Sequence, residues 1–175
     1  MHSLINFRKY IFIFTAFILF FSSAEVFSLI DSNGESVSKS FYKNKWIIVN
    51  YWADWCDTCV NEVPELNKFY NNNKDKNMII FGINYDNLPN VSLRKAIKKT
   101  GIKFPVLQQD PSVTWGLSEV TVLPTTFIIS PEGDVVRKII GPNTEKSLLK
   151  IVYNRLYGKM NHNKSIIDVE KFNMG

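Results

Sequence analysis

The stretch Trp52-Ala53-Asp54-Trp55-Cys56-Asp57-Thr58-Cys59 constrains this chain more than any other, because it holds both of its cysteines, two residues apart. Ahead of it, residues 46–52 are apolar, β-branched or aromatic apart from Asn50 and do not alternate cleanly, which predicts a strand covered on both faces. After it, residues 60–70 carry a helical pattern in which Cys59, Val63, Leu66 and Tyr70 share one face, with Phe69 beside them. Two thiols at a strand-to-helix junction are placed for reversible disulfide chemistry. A purely structural disulfide is the poorer alternative, since closing so short a loop constrains the unfolded chain little.

The rest of the chain reads as alternating strands and helices. Asp31-Ser32-Asn33-Gly34 is a turn signal between two short segments, 26–30 and 36–38, that can form a hairpin. Pro64 removes one backbone donor from the first helix and is expected to kink it near Val60, and the polar run 71–77 is expected to end it. Residues 78–83 predict a second buried strand and 84–89 a loop. Residues 91–99 predict a basic amphipathic helix stopped by Gly101. A short strand at 104–107, a helical turn at 111–116 and a long strand at 125–130 follow. The connection Pro131-Glu132-Gly133-Asp134 is short enough that 135–140 must return antiparallel. Gly141-Pro142-Asn143 then leads to a last helix at 144–156, with Glu145 in its first turn. The expected fold class is α/β: a central mixed β-sheet flanked by helices on both faces.

The chain of 175 residues fits one domain, and its 45% hydrophobic and 21% charged residues are those of a globular protein. Residues 1–24 differ from the rest. Arg8-Lys9 precede the apolar run 10–21, and Ser22-Ser23-Ala24 follow, which is the pattern of a signal peptide cleaved after Ala24. A retained membrane anchor is the alternative, because Leu4, Ile5 and Phe7 extend the apolar character. Either reading exports the domain at 25–157 to where a disulfide can persist, a periplasm or cell exterior. Residues 158–175 read as a polar, loosely ordered tail. Outside residues 1–24 there are 19 basic residues against 16 acidic, a surplus too small and scattered to argue for nucleic acid.

Trp52-Ala53-Asp54-Trp55-Cys56-x-x-Cys59, followed by Pro64 and by Leu123-Pro124-Thr125-Thr126-Phe127, resembles the thioredoxin-fold proteins. Within them it resembles the exported TlpA/ResA-type thiol-disulfide oxidoreductases, over residues 25–157. The resemblance implies that Cys56 is the exposed nucleophile and Cys59 the buried resolving thiol. It implies that Pro124 is a cis-proline beside the disulfide, and it matches Glu62 to a glutamate typical of the group. Asn50 stands where cytosolic thioredoxins place a buried aspartate. Asp57-Thr58 departs from the usual Gly-Pro or Glu-Pro, which bears on the reduction potential rather than on the chemistry. The implied partners are protein thiol and disulfide substrates, among them apocytochrome c haem-attachment cysteines, with a membrane thiol-transfer protein as electron donor.

Placed at a helix N-terminus, Cys56 has its thiolate stabilised by free amides and the helix dipole, while the neighbouring Asp57 carboxylate opposes this. The expected outcome is a moderately acidic thiol and a reducing pair. Cys59 must lose a proton before it attacks a Cys56 mixed disulfide. Asn50 is no base, so Glu62, one turn beyond Cys59, is the candidate acceptor, with a solvated helix glutamate as the alternative. If Pro124 is cis, Leu123 and Thr125 can offer main-chain groups to an extended substrate, a recognition by strand addition flanked by Trp52 and Trp55. Trp46 and Trp115 are assigned to packing. The histidines are His2 and His162, so no Cys/His metal cluster is expected, and no Gly-rich phosphate loop occurs. A peroxidase would not need a second cysteine at this spacing. The expected activity is thiol-disulfide oxidoreduction through a redox-active Cys56–Cys59 disulfide without further cofactor, in the reducing direction. A DsbA-like oxidant or isomerase is one alternative, and a Cu(I)-binding thiol chaperone is another.

Overall fold

Alternate residues of the segment 46–52 point into two different cores, and the rest of the chain is arranged to fill both. A computed structural model describes residues 28–158; the signal or anchor expected at 1–24 and the tail beyond 158 lie outside the described residues. The elements in chain order are β1 (Leu29–Ile30), β2 (Ser36–Val37), α1 (Lys39–Tyr42), β3 (Trp46–Trp52) and α2 (Asp57–Asn73). There follow β4 (Met78–Asn84), α3 (Asn90–Thr100), β5 (Val106–Leu107), α4 (Ser112–Trp115), β6 (Thr125–Ile129) and β7 (Val135–Ile140). A last helix, α5, covers residues 145–158. Strand β3 lies at the centre of a sheet of order β5-β4-β3-β6-β7, parallel to β4 and antiparallel to β6. The 135–140 segment closes the expected hairpin against β6, and β1 pairs with β2 as a separate ribbon.

On one face of the sheet, Ile48, Trp52 and Ile80 meet Val63, Leu66 and Phe69 of α2, together with side chains of α3 and α5. On the other, Val49, Tyr51, Phe81 and Phe127 meet Leu29 of β1 and the partly buried Tyr42 and Trp115. Helices therefore cover both faces, but unequally: three long ones on the first, two single turns and the ribbon on the second. Because both faces are dry, apolar side chains are favoured on both sides of the central strands, which is why alternation is missing from the sequence.

Several boundaries differ from expectation. Helix α2 begins at Asp57, which puts Cys56 just before its N-terminus as expected, but it runs on through the polar stretch to Asn73, since the Asn73 side chain donates to Phe69 O at 2.8 Å and the turn holds. Its buried face is Cys59, Glu62, Val63, Leu66, Phe69 and Asn73, so Phe69 rather than Tyr70 is the aromatic turned fully inward. Pro64 is exposed, and the helix runs through it unbroken. Only Val106 and Leu107 form β5; Phe104 instead packs over Gly82, where the neighbouring strand has no side chain. Helix α1 had no sequence signal of its own. Among the described residues no helix is long and apolar enough to cross a membrane.

Gly82 sits mid-strand in β4, opposite Asn50. A Cβ there would stand 3.0 Å from Trp52 Nε1 and 3.1 Å from both Phe104 Cε2 and Val106 Cγ2, all on buried side chains. Gly82→Ala is therefore expected to destabilise the fold by about 1–3 kcal/mol, the usual cost of overpacking. Urea unfolding followed by tryptophan fluorescence measures it.

Candidate active site

The carboxyl end of β3 delivers the chain to the site. Tyr85 N–H donates to Trp52 O at 2.9 Å, extending the pairing with β4 one residue past the strand. The loop that follows is tied down twice: Asp54 pairs with Lys99 of α3 at 2.9 Å, and Trp55 Nε1–H donates to Asp86 Oδ2 at 2.7 Å. Cys56 is the N-cap of α2 in extended conformation. It is joined to Cys59 by a disulfide, with Cα atoms 5.3 Å apart, and its Sγ accepts a hydrogen bond from Cys59 N–H at 3.2 Å. An N-cap atom normally meets the unpaired amides of the first turn, and here that atom is sulfur. Cys56 keeps 9% of its surface and Cys59 2%. Cys56 is thus the accessible member, though less open than the exposed nucleophile the sequence led us to expect.

The Leu123–Pro124 peptide bond is cis, and Pro124 is buried with its carbonyl accepting from Gly141 N–H at 2.9 Å. Thr125 is in register with Tyr51 on one side and Ile140 on the other, so its main chain belongs to the sheet. Leu123 lies just outside that ladder, half-buried. Of the two tryptophans expected to flank the site, Trp55 is 61% exposed and stands at the surface. Trp52 is 1% exposed, with its indole against the open face of Gly82. Trp52 thus supports the site from below and presents no surface to a groove, because strand alternation turns position 52 into the core under α2.

One turn along α2 from Cys59 lies a buried polar cluster. Glu62, 3% exposed, accepts from Asn50 Nδ2 at Oε1 (2.7 Å) and from Asn143 N–H at Oε2 (2.7 Å). Thr126 Oγ1 accepts from Asn50 Nδ2 at 3.1 Å and from Asn143 Nδ2 at 3.2 Å. Glu62 is therefore no solvated helix residue. Burial pushes its carboxyl above the usual carboxylate range, and the donors from Asn143 and Asn50 act in the opposite sense. Asn50 is the polar exception visible within the strand sequence. Thr126 and Asn143 were not anticipated: a threonine suits a strand and an asparagine suits the residue before a helix, so neither stands out. Among the described residues no group of three or more His, Cys, Asp or Glu side chains is gathered as metal ligands.

Residues 22–138 match the family described as AhpC/TSA. The chain belongs to the AhpC/TSA family. It is 32% identical over 127 residues to the thiol-disulfide oxidoreductase ResA of Bacillus subtilis (strain 168), covering 73% of this chain and 70% of that relative. The ResA of Geobacillus kaustophilus is 31% identical over 127 residues, covering 73% and 72%. Among solved structures, a thiol:disulfide interchange protein of the thioredoxin family from Chlorobium tepidum TLS superposes with a TM-score of 0.61 at 28% identity, covering 73% and 90%. StoA from Bacillus subtilis shares the fold, with a TM-score of 0.58 at 23% identity over 70% and 92% of the two chains. This AhpC/TSA-family chain is a thiol-disulfide oxidoreductase with the thioredoxin fold, and Cys56–Cys59 is its Cys-x-x-Cys pair.

The raised Glu62 carboxyl has a consequence for stability. Between the ordinary carboxylate range and the raised native value, the folded family member binds more protons than the unfolded chain, so its stability falls as pH rises through that window. Glu62→Gln abolishes this contribution. The stability of the variant relative to wild type is expected to increase as pH rises from the ordinary carboxylate range through the raised native value. Parallel urea titrations of the oxidised proteins across that range test the sign.

Proposed function

We propose that this oxidoreductase is exported and reduces specific protein disulfides, with Glu62 as proton acceptor for Cys59. Cys56 thiolate attacks a client disulfide and forms a mixed disulfide, releasing one client thiol. Cys59 passes its proton to Glu62 and attacks Cys56 Sγ. The Cys56–Cys59 disulfide forms and the second client sulfur leaves as thiolate, which takes up a proton. A membrane thiol-transfer protein restores the dithiol. The client lies against the exposed Trp55 and the main chain of Leu123, on the outer side of the cis-proline that leads into the sheet ladder. Haem-attachment cysteines of apocytochrome c, which must be reduced before thioether formation, are the clients this reading favours. Export rests on the N-terminal pattern of a basic pair, an apolar run and small residues.

The observation that carries the direction is Asp57, the acidic residue in the first turn of α2, directly after Cys56. Its carboxylate opposes the helix end and keeps the Cys56 thiolate from the strong stabilisation that makes an oxidant. The reduction potential of the Cys56–Cys59 pair decides the matter. A value near that of thioredoxin, about −270 mV, is expected, and one near that of DsbA, about −120 mV, overturns the reductant. For Glu62, the expectation is that Glu62→Gln slows resolution of a trapped mixed disulfide by about a hundredfold, within the range of general acid–base catalysis. Alkylation of Cys56 in the same variant should stay close to wild type. Stopped-flow resolution of a Cys56-linked fluorescent peptide measures the first, and iodoacetamide kinetics the second.

A further inference from the structure

The two oxygens of Glu62 are held by chemically different groups. Oε2 faces the backbone N–H of Asn143, which can only donate, so Oε2 must remain an acceptor whatever the charge on the carboxyl. Oε1 faces the side-chain amide of Asn50. An amide carries a donor at one end and an acceptor at the other, and turning it by half a revolution exchanges them. Thr126 is equally two-sided, because its hydroxyl accepts from Asn50 and Asn143 yet carries a hydrogen of its own.

We propose that Asn50 and Thr126 are positioning residues that invert together when Glu62 takes the Cys59 proton, with Oε1 as the oxygen that carries it. With Glu62 ionised, Asn50 Nδ2 donates to Oε1 and to Thr126 Oγ1, as observed. When the proton moves from Cys59 Sγ to Oε1, the new O–H needs an acceptor in a site from which water is excluded. The turned amide offers Oδ1, which accepts from Oε1–H and from the Thr126 hydroxyl. Asn143 Nδ2 continues to donate to Thr126 Oγ1 and to Gly141 O, so the frame stays fixed while the inner amide reverses. In both protonation states each oxygen of Glu62 then has a hydrogen-bond partner. An aspartate at position 50 could not do this, since two carboxylates within hydrogen-bond distance cannot both ionise. The inference rests on the reading of Glu62 as proton acceptor.

The surroundings leave this exchange to the amide. On α2 the titratable neighbours are the Cys59 thiol and Glu65, and Glu65 is occupied by the N–H of Glu145 at 3.1 Å. Helix α5 contributes Glu145, which Lys68 holds at 3.2 Å. The packing groups from β3, β6 and the 141–143 loop are Asn50, Thr126 and Asn143, none of which titrates.

NMR on the reduced protein tests this directly, with the Glu62 side-chain carboxyl carbon and the Asn50 side-chain NH2 followed against pH. The expected result is a single shared midpoint, and in Glu62→Gln an Asn50 NH2 signal that no longer responds over that range. Asn50 NH2 signals that stay fixed while Glu62 titrates overturn the proposal. Replacing Asn50 by Leu removes a donor that favours the charged carboxylate more than the neutral acid, so the pH midpoint of mixed-disulfide resolution should rise by about one unit. A folded Asn50→Leu protein with the wild-type midpoint also overturns it. Should Asn50→Leu not fold, Thr126→Val and Thr126→Ser decide: slowed resolution in the first and recovery in the second support the inversion, and equal rates in both refute it. Failure of the underlying reading looks different, because Glu62→Gln would then resolve the mixed disulfide at the wild-type rate. If Glu62→Gln is slow and the Asn50 midpoint is unmoved, the inversion alone is wrong.

Discussion

A carboxylate sealed from water is tolerated only where donors replace its hydration, and much of this molecule is arranged around meeting that condition for Glu62. Its two oxygens take hydrogen bonds from position 50 and position 143, and the amides that supply or flank them are fixed by position 126. Those residues come from the centre of β3, the start of β6 and the loop after β7, so the cluster exists only once the sheet is assembled. The antiparallel register that sets Asn50 opposite Thr126 is the same register that places Val49 opposite Phe127 in the second core. A one-residue slip would turn the polar pair into the opposite core and leave Glu62 without its donors.

The same assembly builds the disulfide side. Helix α2 carries Cys56 at its cap, Cys59 in its first turn and Glu62 one turn further, so accessibility drops along a single element from 9% at Cys56 to 2% at Cys59 and 3% at Glu62. Cys56 sits at the helix end, where a client can reach it, while Glu62, the proposed base, is closed off from the surface. Gly82 matters for this gradient, because the absence of a side chain lets the Trp52 indole settle beneath the loop that presents Cys56. The 141–143 loop joins the two sides, since Gly141 N–H bonds Pro124 O and Asn143 N–H bonds Glu62. The cis-proline and Glu62 therefore share one short segment of backbone.

The strands, the long helices and the redox pair were legible because each leaves a local mark: an unalternated apolar run, a 3.6-residue period, two cysteines. Asn50 was legible as the polar exception in β3, and Glu62 through its spacing from Cys59. Thr126 and Asn143 were not. Their part depends on contacts across 76 and 17 positions of sequence, and each is unremarkable where it stands. Trp52 misled for a related reason. Proximity to Cys56 in sequence suggested proximity in the groove, but the pleat of β3 turns it to the core and leaves Trp55, beyond the strand end, at the surface. The start of α2 beside Cys56 was expected, but its cap was not: the Cys56 sulfur accepts the Cys59 amide, a function that residue-type patterns assign to serine, threonine or aspartate.

Electrostatics at the two ends of this short stretch of helix pull against each other, and that opposition bears on direction. At the cap, the first-turn amide that bonds Cys56 Sγ favours negative charge on sulfur, and the adjacent Asp57 carboxylate disfavours it. One turn in, burial disfavours charge on Glu62 while two N–H donors favour it. In each place a group that favours charge is set against one that disfavours it. A thiol too strongly ionised would be a good leaving group and would make the pair oxidising; a carboxyl too strongly ionised would not hold a proton long enough to pass it on. In the proposed reductant, Asp57 beside the cap and Asn50 beside Glu62 would keep both groups between those extremes, the condition for a dithiol that gives up its electrons and is recharged in every cycle.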